Sequence, residues 1–405
     1  MSYYILPKKT IDLVIDPVIS IIPIPKKPYI SFSLYNYLND FNLQIESIQI
    51  NDINFLHINE DNLDFLNKNI NPYEFIFTKV PNSKLSVSKL KPFSNLFYIL
   101  MEIIHIFNLL DSFVDKNIKT LSYGKNSLSV IECMNMMREE KNDINIKSNI
   151  DLSYIRTYGC DITESFRSCT YDFIYYELNE EDYKNNSEYI TGMIYILCNL
   201  FCYQNVSGVS IIKIDSIFDK PLIDILYILS TIYEKVYIIK PNITNAISNE
   251  RYIICKNFIC NSQKIKLYHT YFINLDLLLK TIIKNNQLLS LLNYDLPYYF
   301  INKIEESNII IGHQQMEYII QLLNLYNNKN KNEKIDILKK NNIQKCIQWC
   351  EKFKIPYNKF TDKVNIFLNG EKLNDNLNIF LSSKNDYISF SNNMIDANNE
   401  INIVI

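Results

Sequence analysis

Residues 208–258 read GVSIIKIDSIFDKPLIDILYILSTIYEKVYIIKPNITNAISNERYIICKNF, and this stretch decides the fold class. Three runs rich in Ile, Val and Tyr, at 209–214, 236–239 and 252–255, have the length of strands. Between the first two, residues 222–233 are apolar at helical spacing. Strand, helix, strand in that order predicts a βαβ crossover, and with it a parallel sheet. The charges sit at the ends of these runs: Lys213 closes the first, Lys240-Pro241 closes the second, and Glu250 directly precedes the third. In open α/β sheets ligands bind in the crevice outside the strand ends, which makes these residues candidates for a site. Lysines snorkelling from an ordinary βαβ unit produce the same pattern with no chemistry attached.

Working outward, residues 171–178 (YDFIYYEL) read as a buried strand ending in Glu177, joined to the opening stretch by an amphipathic helix over 187–203. Residues 128–133 (LSVIEC) read as an earlier strand carrying Glu132, with Met134, Met136, Met137 and Arg138 next in line. Residues 158–163 (YGCDIT) carry Asp161, which serves equally well as a helix cap. Residues 94–110 (SNLFYILMEIIHIFNLL) have the length and apolarity of a buried helix, with His105 either facing substrate or packed at the core boundary.

In order and spacing these segments resemble the FtsJ-like 2′-O-ribose RNA methyltransferases, most of all their mRNA cap-specific branch, which includes members from large DNA viruses. The features that match are Lys213 at a strand end, Lys240-Pro241, and Ser248-Asn249-Glu250-Arg251-Tyr252 in place of the family's Ser-x-Glu-x-Tyr. The resemblance implies a Rossmann-like class I methyltransferase sheet, S-adenosylmethionine as cofactor, and a catalytic Lys-Asp-Lys-Glu tetrad. Carried over residue by residue, the tetrad becomes Ile99, Glu177, Lys213 and Glu250, with Glu132 and Asp161 near the cofactor. Ile99 can neither carry charge nor hydrogen-bond a hydroxyl. Glu177 keeps the charge of the family's Asp but adds a methylene, and a displacement of ~1 Å can cost ~10²-fold in rate. The family's Gly-Pro-Gly-Gly donor loop is missing after residue 133, where methionine and arginine side chains are expected to fill the space.

Composition sets the outer limits. A chain of 405 residues, 47% hydrophobic and 21% charged, can bury a sizeable core. Its net charge of −3 supplies no global field for nucleic acid, so any RNA contact must be local. The 6 glycines are never adjacent, which excludes a glycine-rich phosphate loop. The 9 cysteines lie in apolar segments, and the pairs Cys198/Cys202 and Cys346/Cys350 have helical rather than zinc-ligand spacing, so no metal is expected. Trp349, among helically spaced apolar residues, reads as packing rather than a stacking platform. No leader is recognisable in MSYYILPKKT, and no apolar run approaches the ~20 residues of a membrane span. A cytoplasmic setting without membrane contact follows, host cytoplasm or virion if the chain is viral.

The expected organisation is a β-rich accessory module over 1–88, a methyltransferase-fold domain over 89–265, a helical extension over 266–356 and a small β tail over 357–405. The expected function is that of a catalytically degenerate member of the family, a scaffold or RNA-binding component of a transcription complex or virion. The alternative is an active S-adenosylmethionine-dependent methyltransferase acting on capped mRNA or other RNA.

Overall fold

The computed structural model describes residues 2–8, 13–20, 27–54, 63–149, 169–178, 183–215, 217–282, 287–328 and 331–360, with residues 152, 155, 160, 167 and 181 singly between them. Residues 1–358 form one compact unit and residues 359–405 a second, of which only 359 and 360 are described. Beyond residue 360 the expected β tail lies outside the described residues.

The strands are β1 (Ser2–Ile5), β2 (Val18–Ser20), β3 (Lys119–Tyr123), β4 (Ile144–Ser148), β5 (Tyr171–Tyr176), β6 (Gln204–Ile214), β7 (Tyr233–Lys240), β8 (Arg251–Phe258) and β9 (Gln287–Ser290). The helices are α1 (Phe32–Asn54), α2 (Leu63–Ile70), α3 (Leu96–Phe107), α4 (Ser127–Met137), α5 (Asn186–Tyr203), α6 (Lys220–Ile232), α7 (Ser262–Thr281), α8 (Tyr298–Tyr326) and α9 (Lys331–Lys352).

Seven strands form one sheet in the order β1-β7-β8-β6-β5-β3-β4, and β2 pairs with β9 separately. The strands from β3 to β7 all run parallel; β8 lies antiparallel between β6 and β7, and β1 runs antiparallel along β7. This is a Rossmann-like α/β sheet, as the resemblance implies, and it contains the βαβ crossover that the stretch 208–258 predicts, with α6 as the crossover helix. After β3 the chain passes outward to β4 and returns on the other side as β5. The gap between the ends of β3 and β5 is thus the topological switch point, where sheets of this class place ligands.

Alternation along the strands separates the two faces. Ile174, Tyr176, Ile212, Ile214, Ile238 and Ile253 join the large core cluster built with α5, α6 and α7. Tyr175, Lys213 and Tyr252 point to the opposite face. Asn185 caps α5 by accepting the Glu188 N–H at 3.0 Å, and the fully buried Asp224 on α6 takes the N–H of Leu291 at 2.8 Å, tying that helix to the end of β9. No helix among the described residues is long and apolar enough to cross a membrane.

Three expectations need correction. Residues 128–133 are not a strand; they lie inside α4, which buries Val130, Cys133 and Met134 at helical spacing. The first strand of this half is β3, whose five residues Lys-Thr-Leu-Ser-Tyr carry too little apolar signal to stand out. The module over 1–88, expected to be β-rich, is mainly helical among its described residues: α1 and α2 occupy 32–54 and 63–70, with Leu34 and Leu38 buried one helical turn apart. The extension over 266–356, expected to be helical, is interrupted: α7 ends at Thr281, and β9 follows as the partner of β2.

Candidate functional site

The ends of β3, β5, β6 and β7 and the start of β8 share one edge of the sheet. Glu177 directly follows β5 and is 2% exposed. Its N–H donates to the Tyr123 carbonyl at 3.2 Å, holding the end of β5 against the end of β3. Three side chains converge on its carboxylate. Lys213 Nζ donates to Oε1 at 2.9 Å, Asn126 Nδ2 lies 3.1 Å from both oxygens, and the Tyr175 hydroxyl donates to Oε2 at 3.4 Å. A carboxylate offers about four acceptor positions, so Glu177 is saturated by its own chain. Across the ladder Lys213 pairs with Tyr252, whose hydroxyl donates to Glu250 Oε1. The structure thus brings together Glu177, Lys213 and Glu250, predicted far apart in sequence, and adds Asn126, Tyr175 and Tyr252.

The electrostatics fix the protonation states. Burial works against the Lys213 charge, but Glu250, Glu177 and Asp215 outweigh it and raise its pKa above the ordinary lysine value. Lys213 is therefore an ammonium at neutral pH, able to donate a hydrogen bond and unable to accept a proton. Burial, reinforced by the neighbouring carboxylates, also holds Tyr175 and Tyr252 well above the ordinary phenol range, so both are neutral donors.

Ile99 lies on α3, 4% exposed, and offers the site no polar atom. Glu132 lies on α4 and not at a strand end; its Oε2 accepts the Phe93 N–H at 2.8 Å, joining α4 to the chain just before α3. Asp161 falls outside the described residues. Arg138 does not reach the switch point either: it ends α4, bonded to Asp143 and to the carbonyl of Phe113 at 3.0 Å. His105 Nδ1 contacts the Met101 carbonyl at 3.0 Å within its own helix, and Trp349 packs edge-on to Tyr98 at 5.9 Å. Glu102, which agrees with the leading helix of the family in sequence but has no role assigned from it, is buried on α3; its Oε2 accepts the Ile243 N–H at 3.3 Å and anchors the loop after β7. Its signal was a lone carboxylate in an otherwise apolar helix.

The residues at the switch point were tested against S-adenosylmethionine, the donor that the resemblance implies. Gly124 directly follows β3 with φ of +112°, and a Cβ there would stand 2.7 Å from the Glu177 carbonyl oxygen. The one glycine of this loop is used to pack two strand ends together. Asn126 then spans the gap to Glu177 from the start of α4. Ser148 and Asn149 stand at the end of β4, where a carboxylate would hold a ribose. The described residues do not fit the donor. Among them, no group of three His, Cys, Asp or Glu side chains is placed to hold a metal ion.

No protein-family model matches the chain. An uncharacterised protein of Acanthamoeba polyphaga mimivirus is 26% identical over 236 residues, which is 58% of this chain and 58% of that protein's length. Among solved structures, a protein from Plasmodium falciparum described as a ribosomal RNA methyltransferase aligns with a TM-score of 0.31 and 18% identity, over 42% of this chain and 99% of that one. A likeness of that size says nothing about substrate.

Proposed function

We propose that this chain is a catalytically degenerate relative of the FtsJ-like cap 2′-O-methyltransferases, serving as a scaffold or RNA-binding component of a transcription complex or virion. One observation carries the reading: the Glu177 carboxylate is saturated by Lys213, Asn126 and Tyr175, with Asn126 reaching it across the crevice where a donor would sit. A carboxylate engaged in this way acts as the anchor of a buried ion pair. The reaction needs a free acceptor, a second lysine and a donor cradle, and these positions hold a saturated Glu177, Ile99 and the Gly124 contact.

The alternative, an active RNA 2′-O-methyltransferase, draws on the 2.9 Å contact between Lys213 and Glu177 with Glu250 beside them. Incubation with capped RNA and isotope-labelled S-adenosylmethionine separates the two. No label is expected to transfer. None is expected after Ile99→Lys with Glu177→Asp either, because that double change restores the tetrad and not the donor cradle. Transfer by the unaltered protein that Lys213→Ala abolishes would overturn the proposal in favour of the enzyme.

A further inference from the structure

Beyond the end of β7 the structure forms a half-open cavity of about 450 Å³, within the range of small-ligand sites. Its walls come from three distant parts of the chain: Tyr73 in the turn after α2, Lys240 and Asn242 at the end of β7, and one face of α8. That face bears Gln314, Tyr318 and Gln321, spaced i, i+4, i+7, so they stand in one row. Buried side chains hold the walls in place. Asn71 Oδ1 accepts the Ala246 N–H at 3.0 Å, and Gln315 Nε2 donates to the Ile247 carbonyl at 2.8 Å and to Asn249 Oδ1 at 2.9 Å. Glu102 fixes Ile243 between them. Asn71, Gln315 and Glu102 are 4%, 1% and 1% exposed, so the cavity is pre-formed and little ordering is lost on binding.

The lining selects its ligand by chemistry. Lys240 Nζ faces two backbone carbonyls, of Ser248 and of Glu250, and no carboxylate pairs with it among the described residues. Either protonation state can donate to both carbonyls. Burial, opposed by Glu250 and aided by Arg251, lowers its pKa to about 7, so at neutral pH it is not a fixed cation that would demand a phosphate. Glu317 sits at the rim with its side chain 66% exposed, beside His313 at 3.4 Å. The rest of the lining is the amides and phenols of Asn242, Gln314, Gln321, Tyr73 and Tyr318, together with two prolines, Thr244 and Ala246. Burial first, and then nearby groups, raise the pKa of Tyr73 and Tyr318, which keeps both rings uncharged. Flat π faces with amide donors and acceptors, with the lysine held by backbone carbonyls and the carboxylate at the rim, match an uncharged planar heterocycle with a mixed hydrogen-bonding edge.

We propose that this cavity is a nucleobase site, with the base stacked on Tyr318 and read by Gln314, Gln321 and Asn242. The base is supplied either by a free nucleoside or by an unpaired position of an RNA strand. The site does not depend on the fate of the donor crevice, since none of its lining residues touches Glu177.

Calorimetric titration of the full chain with adenosine, guanosine, cytidine, uridine and a single-stranded RNA octamer tests this. At least one of these binds, and Tyr318→Ala weakens it by about tenfold or more, the scale of one lost base stack, whereas Tyr318→Phe keeps the affinity. The Phe variant separates loss of the ring from loss of folding. Equal affinity for nucleoside and octamer identifies the free molecule as the source, and an octamer that alone binds, or binds at least about tenfold tighter, identifies the strand. Absence of binding by all five, with nucleosides at about 5 mM, overturns the proposal, as does binding that Tyr318→Ala leaves unchanged.

Discussion

Lys213 and Lys240 end the two strands that flank β8, and their surroundings displace them in opposite directions. Lys213 is partly buried beside carboxylates and gains more from them than burial costs it; Lys240 hydrogen-bonds backbone carbonyls, and burial outweighs what the Glu250 charge returns. The consequences for stability fall in different pH windows. For Lys213, with its folded pKa raised, the contribution is fully present below the ordinary lysine pKa and is lost as pH rises through the raised value. For Lys240 the unfolded chain binds the proton below ~10.4 and the folded chain only below about 7, so over that interval the unfolded state holds the extra proton and raising the pH favours folding. Urea unfolding of the wild type and Lys240→Met should therefore diverge between pH 7 and 8.5, the wild type gaining about 1–2 kcal/mol relative to the variant. A constant difference across that range would show that Lys240 is charged in the fold. Lys213, Glu177, Glu250 and Tyr252 were legible through the order and spacing of the motifs they belong to, because a charge closing an apolar run reads equally well as a snorkelling side chain. Asn126 and Tyr175 were not, since an Asn after Gly-Lys reads as a plain turn and a Tyr inside a strand reads as packing.

At the scale of elements, the turn from β3 into α4 decides what the switch point can hold. Gly124 is required there twice, by its positive φ and by the Glu177 carbonyl that a Cβ would strike at 2.7 Å. Gly124→Ala should destabilise the fold by about 2–4 kcal/mol, read from the urea midpoint, through backbone strain and displacement of the end of β5. A change below about 0.5 kcal/mol would mean that the two strand ends are not packed as described. The crossover β6-α6-β7 and the strand β8 could be read from sequence since each run is apolar and each break is marked by a charge, Pro or Asn. The β3 turn could not. Its strand holds only Leu121 and Tyr123 as apolar residues, whereas Val130, Ile131 and Cys133 in the following helix mimic a strand in a short window. The displaced strand also displaced the expected donor loop, and Glu132 and Arg138 with it.

Across the whole of residues 1–358, α8 and α9 fold back against the N-terminal helices and the loop after β7, so the nucleobase cavity joins residues near 72, 242 and 318. No local pattern announces such a site, because each wall is unremarkable until the chain closes around it. The sheet edge then carries two unlike places. At the switch point an ion pair is closed by its own side chains; beyond β7 a half-open, pre-formed cavity is lined by amides and phenols with prolines and small side chains between them. On the proposed reading the switch point has lost its donor. Calorimetric titration of the purified chain with S-adenosylmethionine tests it most directly. No binding is expected up to millimolar ligand, a free energy weaker than about −4 kcal/mol. Micromolar binding, strengthened when Asn126→Ala opens the crevice, would contradict the claim and return the chain to the active methyltransferases.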